Sequence, residues 1–395
     1  SDPASFDAHE NIRLDLLQGI REKARREGLW CLQLRPEFGG LGSSKMEMAV
    51  CYEAMNHAIF GPVAFNCAAP DDGNMMLLQA AGTREQQDRW LRPIADGTVR
   101  SAFAMTEPHP GGGSDPGMIM TTATKRGNDY VIRGRKWFIT GAAEASHFIV
   151  ALGLAASLGG LWVQQLLTAF LFHKDQPGWR ILRRIPIMGP EEHGGHCELE
   201  FENLVVPSEN ILLGEGQGLK VTQIRLGPAR LTHCMRWLGL SKRCLSIAQA
   251  YAAERYAFGT RLADRESIQM MLGDLAMKIE TGRLLVAKAA WHLDQGERAR
   301  KEISIAKVVV AQVLNQAADV AIQVNGARGY SKDTILEWVY RYARQARLVD
   351  GADEVHRMVV HKLLTDGSGK SFWDWPVAEP QPAVGDRSAK TASPA

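Results

Sequence analysis

The chain has 395 residues, room for two or three domains, and its 45% hydrophobic and 23% charged content is that of an ordinary soluble globular protein. A formal net charge of +2 removes the electrostatic case for a nucleic-acid partner. The six cysteines (Cys31, Cys51, Cys67, Cys197, Cys234 and Cys244) contain no Cys-x-x-Cys pair, which argues against a metal cage or disulfide framework and for reduced thiols in a cytoplasmic setting.

Residues 1–7 lack a basic region followed by an apolar core, so no signal peptide is expected. Ile12, Leu16 and Ile20 recur four apart among charged residues, which predicts a helix over 11–28 with one buried stripe. Pro36, Gly39, Gly40 and Gly42 end that segment in a loop. Ser44 with Glu47, and Thr83 with Gln86, have capping-box spacing. The first opens a helix to about His57, the second a helix carrying Trp90 and Leu91. Residues 1–102 therefore read as an α-helical domain.

The pattern changes at Phe103-Ala-Met-Thr-Glu-Pro-His-Pro-Gly-Gly-Gly-Ser-Asp115. A short apolar strand breaks into a loop of prolines, which fix φ and remove donors, and glycines, which admit close backbone approach. Such a loop can offer backbone N–H groups and the hydroxyls of Thr106 and Ser114 to a flat, polar-edged ligand. It can equally be an ordinary surface loop. No Lys-Ser/Thr follows the glycines, and their spacing is not that of a dinucleotide fingerprint. Tyr130–Thr140, after the Arg126–Asp129 turn, reads as a strand, on which Phe138 and Thr140 share a face. Cys197, Leu199 and Phe201 alternate with Glu198, Glu200 and Glu202 as a half-buried strand. Residues 103–213 thus read as a β domain. Within it, 145–173 carries no charge, but Gly159, Gly160, Gln164 and Gln165 spoil the run of about 20 apolar residues that a membrane span needs. No span is expected.

Helical patterns return over Leu219–Glu254 (interrupted near Gly227-Pro228), Asp264–Gln295 and the stripe Ala306, Val309, Val310, Val313, Ala317, Val320, Ala321, Val324. Long helices with short connections imply a bundle over 214–365. Residues 366–395, rich in Pro, Ala, Ser and Gly, read as a disordered tail. Asp350-Gly351 between two helix patterns is, by itself, a turn.

Several of these segments together resemble one family. Ala104-Met105-Thr106-Glu107-Pro108 followed by Gly113-Ser114-Asp115 is similar to the flavin loop of the acyl-CoA dehydrogenases, though longer between Pro108 and Gly113. Lys136-Trp137-Phe138-Ile139-Thr140 resembles the segment that packs an aromatic ring and a hydroxyl on the flavin, with Phe138 where many members have Trp and Trp137 facing away. Arg255-Tyr256-Ala257-Phe258-Gly259 resembles Arg-x-x-Phe-Gly, and Gln323–Tyr330 resembles Gln-x-x-Gly-Gly-x-Gly, the two segments that meet a neighbouring subunit's cofactor. Glu266 stands where many members have a flavin-contacting Gln. Residues 155–167 depart from the family's polar loop, as a locally altered reading frame would produce. Asp350-Gly351-Ala352-Asp353-Glu354-Val355-His356 resembles the subgroup of acyl-CoA dehydrogenase family members 10 and 11, in which Asp replaces the usual Glu base. The base position used by a minority of the family is Ala229 here, which cannot accept a proton.

The resemblance implies an α+β multidomain fold: an N-terminal α-helical domain, a middle β-barrel or sandwich and a C-terminal four-helix bundle. It implies FAD as cofactor and no metal. Phe103, Met105, Thr106, Gly113, Ser114, Phe138, Ile139, Thr140, Arg255, Phe258, Gln323, Gly326, Ala352 and Glu354 would bind it. Ser114, Arg230 and Gly351 would meet the acyl-CoA. Asp350 would take the α-proton as hydride leaves Cβ for the flavin, from a dry pocket expected to raise its pKa. An electron-transfer flavoprotein would accept the electrons, and a homodimer or homotetramer would complete the cofactor sites. An oxygen-using acyl-CoA oxidase, a non-catalytic acyl-CoA or flavin binder and a membrane-attached protein are the competing readings.

Overall fold

The computed structural model of this chain describes residues 3–154, 167–191, 193–365 and 372. The proposed tail and the stretch 155–166 lie outside them.

The N-terminal helices are α1 (Leu14–Arg26), α2 (Lys45–Met55) and α3 (Asp71–Ala81). Helix α1 does not bury the face read from the sequence. Leu17 and Ala24 point inward, whereas Leu16 and Ile20 are 41% and 43% exposed and Ile12 is buried just ahead of the helix. Tertiary packing, not the i, i+4 count, chose the face, because two apolar stripes compete on this short helix. Both capping boxes form: Ser44 with Glu47, and Thr83 with Gln86. The second starts a helical run that passes through a π-turn at Gln87–Leu91 and buries Trp90 and Leu91.

Seven strands follow: β1 (Arg100–Ala104), β2 (Thr122–Arg126), β3 (Asp129–Thr140), β4 (Ala145–Leu154), β5 (Leu167–His173), β6 (Trp179–Arg184) and β7 (His196–Pro207). They form one mixed sheet in the order β1-β4-β2-β3-β7-β6, with β5 added to β4. Strand β4 runs parallel to β1 and β2 and antiparallel to β5. The charge-free 145–173 stretch therefore supplies two buried strands from its described ends, not a membrane helix. The alternation in β7 is as expected, with Cys197, Leu199 and Phe201 in the sheet core.

The C-terminal helices are α4 (Gly218–Glu254), α5 (Glu266–Asp294), α6 (Arg300–Asn325), α7 (Leu336–Gln345) and α8 (Asp353–Leu364). A two-strand hairpin, Tyr256–Ala257 with Thr260–Arg261, joins α4 to α5. Helix α6 is central and packs on all four others, its valine and alanine stripe buried. It is long and apolar enough to cross a membrane, but most of that stretch is buried in the bundle. Pro228 does not interrupt α4. A helical proline costs about 3 kcal/mol, and burial of Leu231, Cys234, Met235, Trp237 and Leu238 just beyond it outweighs that. Helices α2 and α3 rest on α4, whose N-terminal half reaches α3 through Arg225 and Asn74, β1 through Arg225 and Phe103, and the loop between α7 and α8 through Arg230 and Asp350. That junction holds the site.

Candidate active site

The loop after β1 is built around a buried ion pair. Lys136 Nζ, fully buried on β3, lies 2.8 Å from Glu107 Oε1 and donates to the Met105 carbonyl at 2.7 Å. Glu107 also accepts from the backbone N–H of Met120 and Thr121 at 2.7 and 2.9 Å. Burial opposes the charges on both groups, but their attraction leaves Glu107 below the usual carboxylate range, while burial takes Lys136 down to about 8. The Trp137 N–H donates to the Thr106 carbonyl at 2.9 Å, closing the loop against β3. A Cβ on Gly111 would strike Glu107 and one on Gly112 would strike Ile119, so those glycines serve the loop itself. A Cβ on Gly113 would meet nothing. Gly113 and Ser114 are exposed, and Phe103, Met105 and Thr106 are half-buried.

The end of β3 departs from simple alternation. Its pairing with β7 shifts register between Lys136 and Ile139, and Phe138 has φ 53°. The Trp137 ring meets that of Phe138 edge-on at 4.9 Å. Phe138 is 44% exposed, whereas the Ile139 side chain is buried in the sheet, which leaves only its backbone for a ligand. His196 on β7 joins the group, with Nδ1 3.0 Å from Thr140 Oγ1 and its ring 6.3 Å from that of Phe138.

Asp350 is held on a loop pinned from four sides. Arg230 Nε donates to its carbonyl at 2.8 Å, and His356 Nε2 lies 3.3 Å from the same oxygen. Buried Lys307 donates to the carbonyl of Ala346 at 2.7 Å and approaches that of Gly351 at 3.5 Å. Arg347 Nε bonds Asp353 at 2.9 Å. These contacts over-determine left-handed backbone at Asp350 (φ 52°) and Gly351 (φ 102°). Among the described residues none accepts a hydrogen bond from the Asp350 amide N–H.

The Asp350 side chain is 17% exposed. Its Oδ2 lies 3.3 Å from His233 Nε2, within hydrogen-bond distance but poorly aligned, and 3.9 Å from Arg225 Nη1, beyond it. This overturns the expectation of a raised pKa. Burial does push the carboxyl up, but His233, Arg225 and Arg230 together outweigh it and hold it well below the usual carboxylate range. Arg225 also stacks on Phe103, 5.1 Å from its ring centroid, and donates to Asn74 on α3 at 3.3 Å. One guanidinium therefore bridges the strand that feeds the glycine loop and the candidate base.

The remaining candidates lie at element ends. Arg255 and Phe258 (97% exposed) flank and cap the hairpin, with Arg265 5.7 Å from the Phe258 ring. Glu266 is exposed at the start of α5. Gln323 and Gly326 are exposed at the end of α6, and Ala352 caps α8, where Glu354 faces solvent. Ala229 is buried. The donor set fits FAD: a glycine loop with room at Gly113, the exposed Phe138 ring two residues from the Thr140 hydroxyl, and an exposed Arg255 able to fork a diphosphate. Sequence reading missed Arg225, His233, Arg236, Lys307, His356 and His196. Arg225, Thr232, His233 and Arg236 form a buried polar stripe at helical spacing on α4, a signal that could have found them.

Comparison with known proteins agrees. The N-terminal, middle and C-terminal domain profiles of acyl-CoA dehydrogenase match residues 3–98, 102–204 and 216–365. A probable acyl-CoA dehydrogenase, FadE2, of Mycobacterium tuberculosis is 40% identical over 86% of this chain and 83% of its own length. Acyl-CoA dehydrogenase family member 11 of Gallus gallus is 38% identical over 90% of this chain, which spans only 46% of that longer protein. The structure of a putative acyl-CoA dehydrogenase from Mycobacterium abscessus superposes with a TM-score of 0.82 at 38% identity, covering 88% of this chain and 86% of that one.

Proposed function

This chain belongs to the acyl-CoA dehydrogenase family, and we propose that Asp350 is the base in its FAD-dependent oxidation of an acyl-CoA thioester to the 2-enoyl-CoA. The supporting observation is the Arg225 bridge: 3.9 Å to Asp350 Oδ2 on one side and 5.1 Å to the Phe103 ring on the other. Bound FAD supplies the hydride acceptor for Cβ.

The chain's own residues do the rest. The Asp350 carboxylate removes the proton from Cα. The Asp350 amide N–H stabilises the developing charge on the thioester oxygen, a preorganised donor that needs no reorientation during reaction. Arg230, His356 and Lys307 hold the loop so that this N–H and the carboxylate keep their relation. Phe103, Met105, Thr106, Gly113, Ser114, Phe138, Thr140 and the Ile139 backbone line the isoalloxazine, and Ser114, Arg230 and Gly351 meet the acyl-CoA. Arg255, Phe258, Gln323, Gly326, Ala352 and Glu354 complete the cofactor's polar end. The exposure of Phe258 supports a homodimer or homotetramer in which that end is shared between subunits. An electron-transfer flavoprotein is the acceptor in this reading, and six unpaired cysteines suit a reducing compartment such as the cytosol.

Anaerobic titration of the FAD-loaded protein with short-, medium- and long-chain saturated acyl-CoAs tests the reading. Bleaching of the flavin absorbance by at least one thioester is expected, together with retained FAD but no bleaching in Asp350→Asn. Bleaching of that variant at the wild-type rate removes Asp350 as base.

A further inference from the structure

A chain of buried polar contacts reaches Asp350 from the far side of α4. Asp72, 1% exposed on α3, accepts from Arg236 Nη1 at 2.6 Å and lies 3.2 Å from Thr232 Oγ1. Arg236, 4% exposed, also donates from Nη1 to the Cys67 carbonyl at 2.9 Å, and its Nη2 faces His233 Nδ1 at 3.2 Å. The His233 ring stacks on Trp237 with centroids 5.2 Å apart, and its Nε2 faces Asp350 Oδ2 at 3.3 Å.

The chemistry of the donors fixes the proton. A guanidinium has N–H groups and no acceptor, so the His233 nitrogen facing it must accept. That leaves the single ring proton on Nε2, directed at Asp350. Protonating the ring would set Nδ1–H against an Arg236 N–H. Burial and Arg236 both oppose the charged imidazole, and they outweigh the pull of Asp350 and Asp72.

We propose that His233 is a positioning residue for the base: held as the Nε2–H tautomer by Asp72 and Arg236, it donates to Asp350 Oδ2 in the substrate complex and so turns Oδ1 toward the α-proton. This rests on the reading of Asp350 as base. Oδ2 is a buried acceptor without a hydrogen bond, and His233 Nε2–H is nearer to it than Arg225. Contacts of this kind are often long and misaligned until ligand packs the site. An Asp side chain has few rotors, so one donor suffices to set the direction of its carboxylate. Among the described residues, the other charged or titratable groups around the base are Arg225, Arg230 and Cys234 on α4, Lys307 on α6, and Asp353 and His356 at the start of α8.

The test uses anaerobic, single-turnover reduction of the FAD-loaded full chain by the most effective thioester of the panel. His233→Phe should slow reduction about ten- to a hundred-fold, the range for losing a hydrogen bond to a charged group, with the half-saturating thioester concentration unchanged. His233→Gln, whose amide N–H can reach the Nε2 position, should restore most of the rate. His233→Asn, whose N–H reaches only the Arg236 side, should not. If His233→Phe fails to load FAD, the Gln and Asn pair decides. Equal rates for Gln and Asn, or a wild-type rate in His233→Phe, overturn the proposal. Asp350→Asn run in parallel separates the two readings: a silent Asp350→Asn with a normal His233→Phe defeats only the role of His233, whereas a wild-type rate in Asp350→Asn defeats the base itself.

Discussion

Arg230 Nε donates to the backbone carbonyl of Asp350 at 2.8 Å, joining positions 120 residues apart in the chain. Helix α4 thereby fixes the peptide that carries the base, independently of the base's carboxylate. Arg230→Lys keeps the charge but loses the planar fork. Flavin reduction should slow by about ten- to a hundred-fold, the range for losing a charge-assisted hydrogen bond, while FAD content stays at the wild-type level. Stopped-flow reduction with FAD quantified in the same samples checks this. Unchanged kinetics would mean that Lys307, His356 and Arg347 suffice to hold the loop.

The Glu107–Lys136 pair should be a stability determinant of the glycine loop. Removing one partner of a buried pair strands the other charge, which costs about 3–5 kcal/mol. Lys136→Met should lower the unfolding midpoint and weaken FAD retention together, and Glu107→Gln added to it should recover part of the midpoint. Chemical denaturation of the three proteins is the measurement. A single mutant as stable as wild type would refute the assignment.

Asp350 lies among Arg225, Arg230 and His233, whose combined effect exceeds the burial that pushes its carboxyl up. Its pKa is depressed, so it stays ionised on acidification and ready to accept a proton. Because kcat/KM reports the free enzyme, no acid limb from this group is expected between about pH 5 and 8. A profile that falls with an apparent pKa near neutrality, in wild type and not in variants of other groups, would restore the raised pKa first read from the sequence.

His356 is 2% exposed between Ser304 Oγ and the Asp350 carbonyl, and burial with Arg230 and Lys307 nearby lowers its pKa from 6.5 to about 4. Above pH 6.5 the ring is neutral folded or unfolded, and its contribution to stability is complete. Between 6.5 and 4 the unfolded chain binds a proton that the native chain refuses, so stability falls with falling pH, by up to roughly 1.4 kcal/mol per unit. Unfolding midpoints over this window should drop more steeply in wild type than in His356→Gln. Parallel slopes would assign the acid sensitivity elsewhere.

The local signals were legible without coordinates. Ser44 with Glu47 and Thr83 with Gln86 start helices by reciprocal bonds within four residues, the β7 alternation is a two-residue rule, and the α6 stripe from Ala306 to Val324 spans about five turns, so each survives any plausible packing. The glycine loop and the Asp-Gly run were visible as motifs. What the chain order could not decide was which of two faces α1 would bury, whether α4 would pass through Pro228, and where Phe138 would point once β3 slipped register against β7. Nor could it decide the ionisation of Asp350. That depends on Arg225, Arg230 and His233, more than a hundred residues away along the chain and within a few ångströms in space. Coulomb and hydrogen-bond energies depend on distance in space, and only folding sets that distance.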